Sequence, residues 1–381
     1  MKIKLIVPFA IASIVSLSLS GCSKGSDAAP VAEGGLQKVK VGYIGLTCEA
    51  PLFTAVENGF FKEEGIEPEL VKCEWSQYKD VLALGGYDIT HHLIMMFLKP
   101  LEQGMDVKMT AGVHTGCLRV QTGVNSEIAT AKDLKGKRIG VPGMGTPPFI
   151  FANRVLGDVG IDASKEVEWR AYPAGELALA LAKGEVDAIA TAEPIGTLLV
   201  AEGKVKNVVD QAVDEPYATE YCCAVIANGK WAQANPELTA AATRAILKGA
   251  KWVQLNPHAA ATMSVEKKYL ASNPELNASA IGKLNYMPSI SGGEEAILSA
   301  AKAMQAVGLL SPTTDVADLA KRAWLPQEGV TDQWVENLKV EKVAMGELPP
   351  DQEERLLAEL GLTRTKLVVQ TCCSKASKLK M

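Results

Sequence analysis

The feature that most constrains this chain is an alternation of strand-like and helix-like segments that runs once, breaks, and starts again. Residues 39–44 (VKVGYI) are apolar and β-branched. A helical pattern over 51–64 follows, with Leu52, Val56, Phe60 and Phe61 near one face and Gly65 as its stop. Strand signals return at 66–71, 87–90 and 107–113, separated by helical stretches over 78–84 and 94–103. After an extended stretch at 117–123 the pattern resumes, with strands expected at 138–142, 167–172 and 186–191 and helices between them. Residues 220–227 read as a strand leading back, followed by a long helix over 236–255 and mainly helices beyond. Such alternation implies an α/β fold of parallel sheets covered by helices. A chain of 381 residues has room for two such units, at ~100–200 residues per domain.

The N-terminus implies export. Lys2 and Lys4 precede an apolar run over 5–19 that is too short for a stable bilayer span, and Leu19-Ser20-Gly21-Cys22 follows. Small residues before a cysteine resemble the bacterial lipobox, which implies lipidation of Cys22; the alternative is an ordinary signal peptide with a chance cysteine. Residues 23–37, rich in Ser, Ala, Gly and Pro, read as a flexible tether. The net charge of −5 comes with no basic arm, which argues against nucleic acid as a partner. No later segment has the ~20 unbroken apolar residues a membrane span needs, so the anchor is the expected membrane contact. Eight cysteines without a CxxC spacing support neither a zinc ribbon nor a thioredoxin motif.

Three segments carry a family resemblance: DLKGKRIGVP (133–142), KGEVDAIATAEP (183–194) and NGFFKEEGIEPEL (58–70). In this order and spacing, residues 38 to 335 resemble the nitrate/sulfonate/taurine/bicarbonate group of ABC-transporter binding proteins. The resemblance implies a type II periplasmic-binding-protein fold, two α/β lobes joined by two crossing strands and closing on a ligand. The crossings are expected near 117–123 and 220–224. Lobe 1 would comprise 38–117 plus 224–340, lobe 2 would comprise 118–223, and 341–381 would form a C-terminal helix and tail.

Ligands of open parallel sheets sit beyond the carboxyl ends of strands, where helix N-termini offer free N–H groups and partial positive charge. Those ends bring forward Thr47 and Cys48, Trp75, His91 and His92, and His114 and Cys117. Gly143, Met144, Gly145 and Thr146 follow a strand and open a helix; the turn resembles the family's anion-contacting turn, or is simply a tight connection. Glu193 matches an acidic family position that faces the cleft, and Tyr221 and Cys222 lie with Cys223 on the return crossing. Three of the four histidines fall at neighbouring strand ends, while His258 is expected at the surface. Thiolate and imidazole together suit a soft or borderline metal, which makes His91, His92, His114 and Cys117 metal candidates. The alternatives are buried inert thiols, or a disulfide from Cys222 or Cys223 to Cys48 or Cys117. Trp75 and Tyr221 could stack on a flat or cationic group, or be buried. Arg119 could balance an anion, or pair with Glu220 across the hinge.

These readings lead to an exported, lipid-anchored solute-binding protein rather than an enzyme. Its expected partners are a small-molecule solute and the permease and ATPase of an ABC importer; no cofactor is expected, and a monomer is. The resemblance extends to thiamine-pyrimidine synthases, enzymes that use histidine, iron and a cysteine-rich segment, but their cysteine cluster is longer than the doublet here. A sensory module is a third class. The His/Cys-rich strand ends depart from the small, hydroxyl-rich sites expected for nitrate or sulfonates. A heteroaromatic or metal-bound solute therefore fits at least as well as a simple anion.

Overall fold

The structure, a computed structural model, describes residues 35–343. The signal segment with Cys22, most of the tether, and the C-terminal tail from 344 with Cys372-Cys373 lie outside the described residues. Ten strands follow the alternation: β1 Gln37–Tyr43, β2 Ile66–Lys72, β3 Ile89–Leu93, β4 Val107–Thr115, β5 Leu118–Gly123, β6 Arg138–Val141, β7 Glu168–Ala171, β8 Ala188–Ala192, β9 Val205–Asp210 and β10 Tyr221–Asn228. They form two five-stranded sheets, in the orders β2-β1-β3-β10-β4 and β7-β6-β8-β5-β9.

Burial explains the composition of these strands. The central strands β3 (ITHHL) and β8 (AIATA) are buried at every position, as expected of strands covered on both faces. Strand β2 pairs only with β1, and as an edge strand it tolerates Pro68 and keeps only Ile66 fully buried. The other edge of that sheet, β4, is closed by the 285–289 segment. The Gly112 N–H donates to the Ser289 carbonyl at 2.8 Å and the Thr115 N–H to the Asn285 carbonyl at 3.1 Å. Covering an edge in this way removes a template for strand addition.

The sheets are mixed rather than parallel, which corrects the sequence expectation. β10 is antiparallel to both β3 and β4, and β5 is antiparallel to both β8 and β9. These are the two strands that the chain makes on crossing from one sheet to the other. Each enters its sheet from the interlobe side, so it runs against strands that point their carboxyl ends at that side. The alternation of strand and helix is silent about the direction of a strand reached by a crossing rather than by a helix.

The crossings touch each other. Between β4 and β5 the chain turns at Gly116, with φ +72°, and a Cβ there would lie 2.7 Å from the Ala212 Cα on the returning segment. Gln211 clamps the pair: its N–H donates to the Leu118 carbonyl at 3.0 Å, and its side-chain oxygen accepts from the Leu118 N–H at 3.2 Å. Only glycine satisfies both the left-handed backbone and the close approach at position 116.

The helix Ile290–Ala306 lies on β4 with backbone against backbone at Gly293 and Gly112. A Cβ on Gly293 would sit 2.1 Å from the Gly112 nitrogen, so neither chain can give way by rotating a side chain. Gly293→Ala should cost about 1–3 kcal/mol by overpacking, read as a lowered midpoint in denaturant. Gly175→Ala, where nothing lies within 4 Å of the added carbon, should leave the midpoint unchanged.

Candidate functional site

The carboxyl ends of the strands in the two sheets face each other across a cavity of about 220 Å³. The first sheet contributes Ile44, Gly45 and Leu46 after β1 and Trp75 after β2. The second contributes Pro142 after β6, Pro148 on the following helix, and Thr191, Ala192, Glu193, Pro194 and Ile195 around the end of β8; Ala174, Leu177 and Ala271 complete the wall. Of the sequence candidates, Trp75 and Glu193 line it. The Gly143–Thr146 turn does not, although Pro142 and Pro148 on either side do; Met144 is exposed, and the Thr146 hydroxyl donates to the Gly143 carbonyl at 2.6 Å. Tyr221 packs on Gly112 and Gly292 and donates its hydroxyl to the Met287 carbonyl at 2.6 Å. Thr47 is fully buried and donates to Asn277 Oδ1 at 2.7 Å.

The charges around the cavity are already matched inside the protein. Glu49, 1 % exposed, accepts the N–H groups of Ile44, Gly45 and Leu46 at 3.0, 2.7 and 2.8 Å. The loop that ends β1 is therefore an oxyanion nest filled by the chain's own carboxylate. Burial lifts the Glu49 pKa to about 7 in spite of these three donors. Arg119, 2 % exposed, donates through Nε to Asp210 Oδ2 at 2.8 Å and through Nη1 to Thr197 Oγ1 at 2.8 Å, and it forms an ion pair with Glu193. The expected partner Glu220 instead holds Arg154, across 2.7 Å. The correction has a simple origin: Arg119 is on β5 between β8 and β9, so its side chain reaches the ends of those two strands and not the hinge. Burial pushes the Glu193 carboxyl up, and Arg119 opposes that.

The histidines and cysteines gather beneath the Ile44–Leu46 loop. Successive residues of a strand face opposite sides, so β3 sends its two histidines apart. His91 meets His114 of β4, with ring centroids 5.0 Å apart. His92 turns the other way, to Tyr78 at 4.5 Å and Trp75 at 5.6 Å. The same rule would separate Cys222 from Cys223, but β10 is bulged against β4 on both sides of Cys223, and the two sulfurs lie 3.5 Å apart. Cys48, Cys117 and Cys223 offer sulfurs all within 4.8 Å of one another, and so do the ligand atoms of His91, His114 and Cys223. The thiols of Cys48, Cys117, Cys222 and Cys223 are free, which removes the disulfide alternative among them.

Every group in this cluster is at most 3 % exposed. Burial holds the His91 and His114 imidazoles below their ordinary pKa and brings His92 down to about 3, so all three rings are neutral. The neighbouring thiols of Cys222, Cys223 and Cys48 pull the Cys117 thiol well down; Cys117 pushes the Cys48 thiol up, and burial first, then Cys117, pushes up those of Cys222 and Cys223. Both ring nitrogens of His91 and the Nε2 atoms of His92 and His114 have no hydrogen-bond partner among the described residues. An unmet buried polar atom costs about 1–3 kcal/mol, so the arrangement is an expensive one for a plain core.

Sequence reasoning missed most of the cavity wall. Leu46, Pro148, Leu177, Ile195 and Ala271 carry no chemical signal, being ordinary apolar residues that happen to end at the cleft. Glu49 did carry one: an acid three residues beyond Leu46 can reach back to the N–H groups that open its own helix.

The fold and the cleft define a class. Two mixed α/β sheets linked by two crossings, with a cavity between their carboxyl ends, make up the periplasmic-binding-protein fold, which a Candida albicans gene product also exhibits at TM-score 0.62 and 17% identity over 76% of this chain and 96% of its own. Residues 32–266 match the NMT1-like family, and the chain belongs to that family. The nitrate/nitrite binding protein NrtA of Nostoc sp. is 26% identical over 185 residues, 43% of this chain and 42% of its own length. The match thus spans less than half of that curated relative. Among solved structures, the alkanesulfonate-binding protein SsuA of Xanthomonas axonopodis superposes at TM-score 0.64 with 17% identity, covering 77% of this chain and 99% of its own. The nitrate-binding protein NrtA of Synechocystis does so at 0.64 and 16%, covering 76% and 86%. At these identities the two structures share the fold.

Arg119→Met should destabilise the protein by about 3–5 kcal/mol, because it leaves Glu193 and Asp210 buried without their counter-charge. Equilibrium denaturation at neutral pH checks this, and a cost below ~1 kcal/mol would mean the pair is not held by Arg119.

Proposed function

We propose that this chain is an exported, lipid-anchored solute receptor whose two lobes close on a small, neutral or cationic, largely apolar solute and deliver it to the permease of an ABC importer. The observation that carries the reading is the interlobe cavity: largely apolar walls from both sheets, Trp75 at one side, and, among the described residues, no lysine or arginine in its lining. At about 220 Å³ it is smaller than the ~300–1,000 Å³ of drug-sized sites and suits a small molecule. Family membership and relatives described as nitrate-, nitrite- and alkanesulfonate-binding proteins support a receptor rather than an enzyme. Receptor action needs only a solute that stabilises the closed state more than the open one.

The solute class departs from those relatives for an electrostatic reason. An anion entering the cleft would find the N–H groups of Ile44–Leu46 engaged by Glu49, and Arg119 engaged by Glu193 and Asp210. It would meet carboxylates on both sides instead of donors. A flat heteroaromatic compound can stack on Trp75 and tolerate Glu193. In this reading 38–117 with 224–340 forms one lobe and 118–223 the other; 1–22 is the signal segment, 23–37 the tether that lets the body reach its permease, and 341–381 a tail.

Titration calorimetry against nitrate, short alkanesulfonates and a panel of small neutral and cationic heteroaromatics tests the solute class. Heteroaromatics should bind, the two anion classes should not, and Trp75→Ala should weaken binding by about tenfold or more, the loss of roughly 1.4 kcal/mol of stacking and burial. Tight nitrate or sulfonate binding would sink this solute class. Cys22→Ala should move the protein from the membrane to the soluble fraction of fractionated cells; unchanged membrane association would sink the anchor.

A further inference from the structure

We propose that Cys48, Cys117 and Cys223 form a resident metal site beneath the floor of the cleft, completed on the Cys223 side by one imidazole nitrogen of the His91/His114 pair, and suited to one thiophilic ion of the Cu(I) or Zn(II) kind. The five residues come from separate stretches of chain: the turn after β1, β3, the end of β4, the crossing, and the start of β10. No local motif joins them, so the pairing of β10 with β3 and β4 alone brings them together.

Geometry supports coordination. Sulfur–zinc bonds of ~2.3 Å place tetrahedral ligand sulfurs ~3.8 Å apart. The three sulfurs already lie within 4.8 Å of one another, so they need to close by no more than ~1 Å around an ion. The two ligand groups share only Cys223, so an ion held by the three sulfurs has imidazole nitrogen on its Cys223 side as the source of a fourth ligand. Cys222, whose sulfur is 3.5 Å from that of Cys223 and 3.6 Å from His114 Nδ1, is a nearby spare donor.

A second observation points to a ligand independently. Both ring nitrogens of His91 and Nε2 of His114 are buried with no hydrogen-bond partner. Cysteines alone are content as small apolar residues, but imidazole nitrogens in a dry site are not. A metal would satisfy a ring nitrogen that now has no partner, and thiolate with imidazole is the donor set of soft and borderline ions. On binding, each ligating thiol gives its proton to solvent as the sulfur–metal bond forms. None of these residues lines the solute cavity, so the ion would stay in the wall of the protein rather than travel with the solute.

The full chain, purified reduced and without oxygen, would be equilibrated with Zn(II), Cu(I) or Co(II) and desalted. Elemental analysis should find one ion per chain, and the Co(II) form should show thiolate-to-metal charge-transfer absorption. X-ray absorption of the loaded parent should show sulfur with nitrogen scatterers. Binding should be lost in Cys117→Ser and Cys223→Ser. It should survive Cys73→Ser, whose thiol donates to the Val71 carbonyl away from the cluster, and the double change Cys372→Ser, Cys373→Ser. A folded, reduced parent that takes up no Zn(II) or Cu(I) would overturn the proposal. So would an all-oxygen/nitrogen shell in the parent, binding that survives Cys117→Ser, or binding lost with the tail cysteines. Should Cys117→Ser fail to fold by circular dichroism, the absorption spectrum of the parent alone decides.

Discussion

Strand β10 hydrogen-bonds on both sides, antiparallel to β3 on one edge and to β4 on the other, and it arrives only after the chain has built the second sheet. The first sheet is therefore incomplete until the chain returns. Its insertion sets Cys223 opposite His114, and its bulge turns Cys222 and Cys223 toward the same place. It also presses the returning segment at Ala212 against Gly116, so the two crossings share one contact. The two sheets are thus joined by two short, mutually packed crossings.

Around the cleft, internal neutralisation decides what the surface can offer. Each carboxylate is held by a partner of its own lobe: Glu49 by three backbone N–H groups, Glu193 and Asp210 by Arg119. Groups that could have faced a solute are used in holding the loops that shape the cavity. The rest of the wall is Trp75, prolines and aliphatic side chains, beside Thr191 and the paired Glu193. The wall is largely apolar, and the buried charges beside it are already paired within the protein.

The fold extends well beyond this chemistry. A backbone similarity near TM-score 0.64 with 16–17% identity to nitrate- and alkanesulfonate-binding proteins shows how much of the architecture survives replacement of most side chains. Periodicity and turn residues suffice to specify two α/β lobes, whereas ligand choice resides in a few positions at the strand ends. At its strand ends this chain carries the nest at Ile44–Leu46, filled by Glu49, and the buried His/Cys cluster outside the cavity lining.

The alternation of 2-residue and 3.6-residue periods determined the strands and helices, the motifs at 58–70, 133–142 and 183–194 determined the family, and the location of His91, His114, Cys48 and Cys117 at strand ends was already visible. These are local properties, written in residues a few positions apart. Tertiary structure alone decided that β5 and β10 run against their neighbours, that His92 faces away from His91's partner, and that Arg119 answers Glu193 and Asp210 instead of Glu220. These depend on which strand lies beside which, and the contacts that result join residues far apart in the chain, 91 positions for Arg119 and Asp210 and 108 for His114 and Cys222. A sequence pattern specifies which face of a strand is buried, but not the partner that buries it.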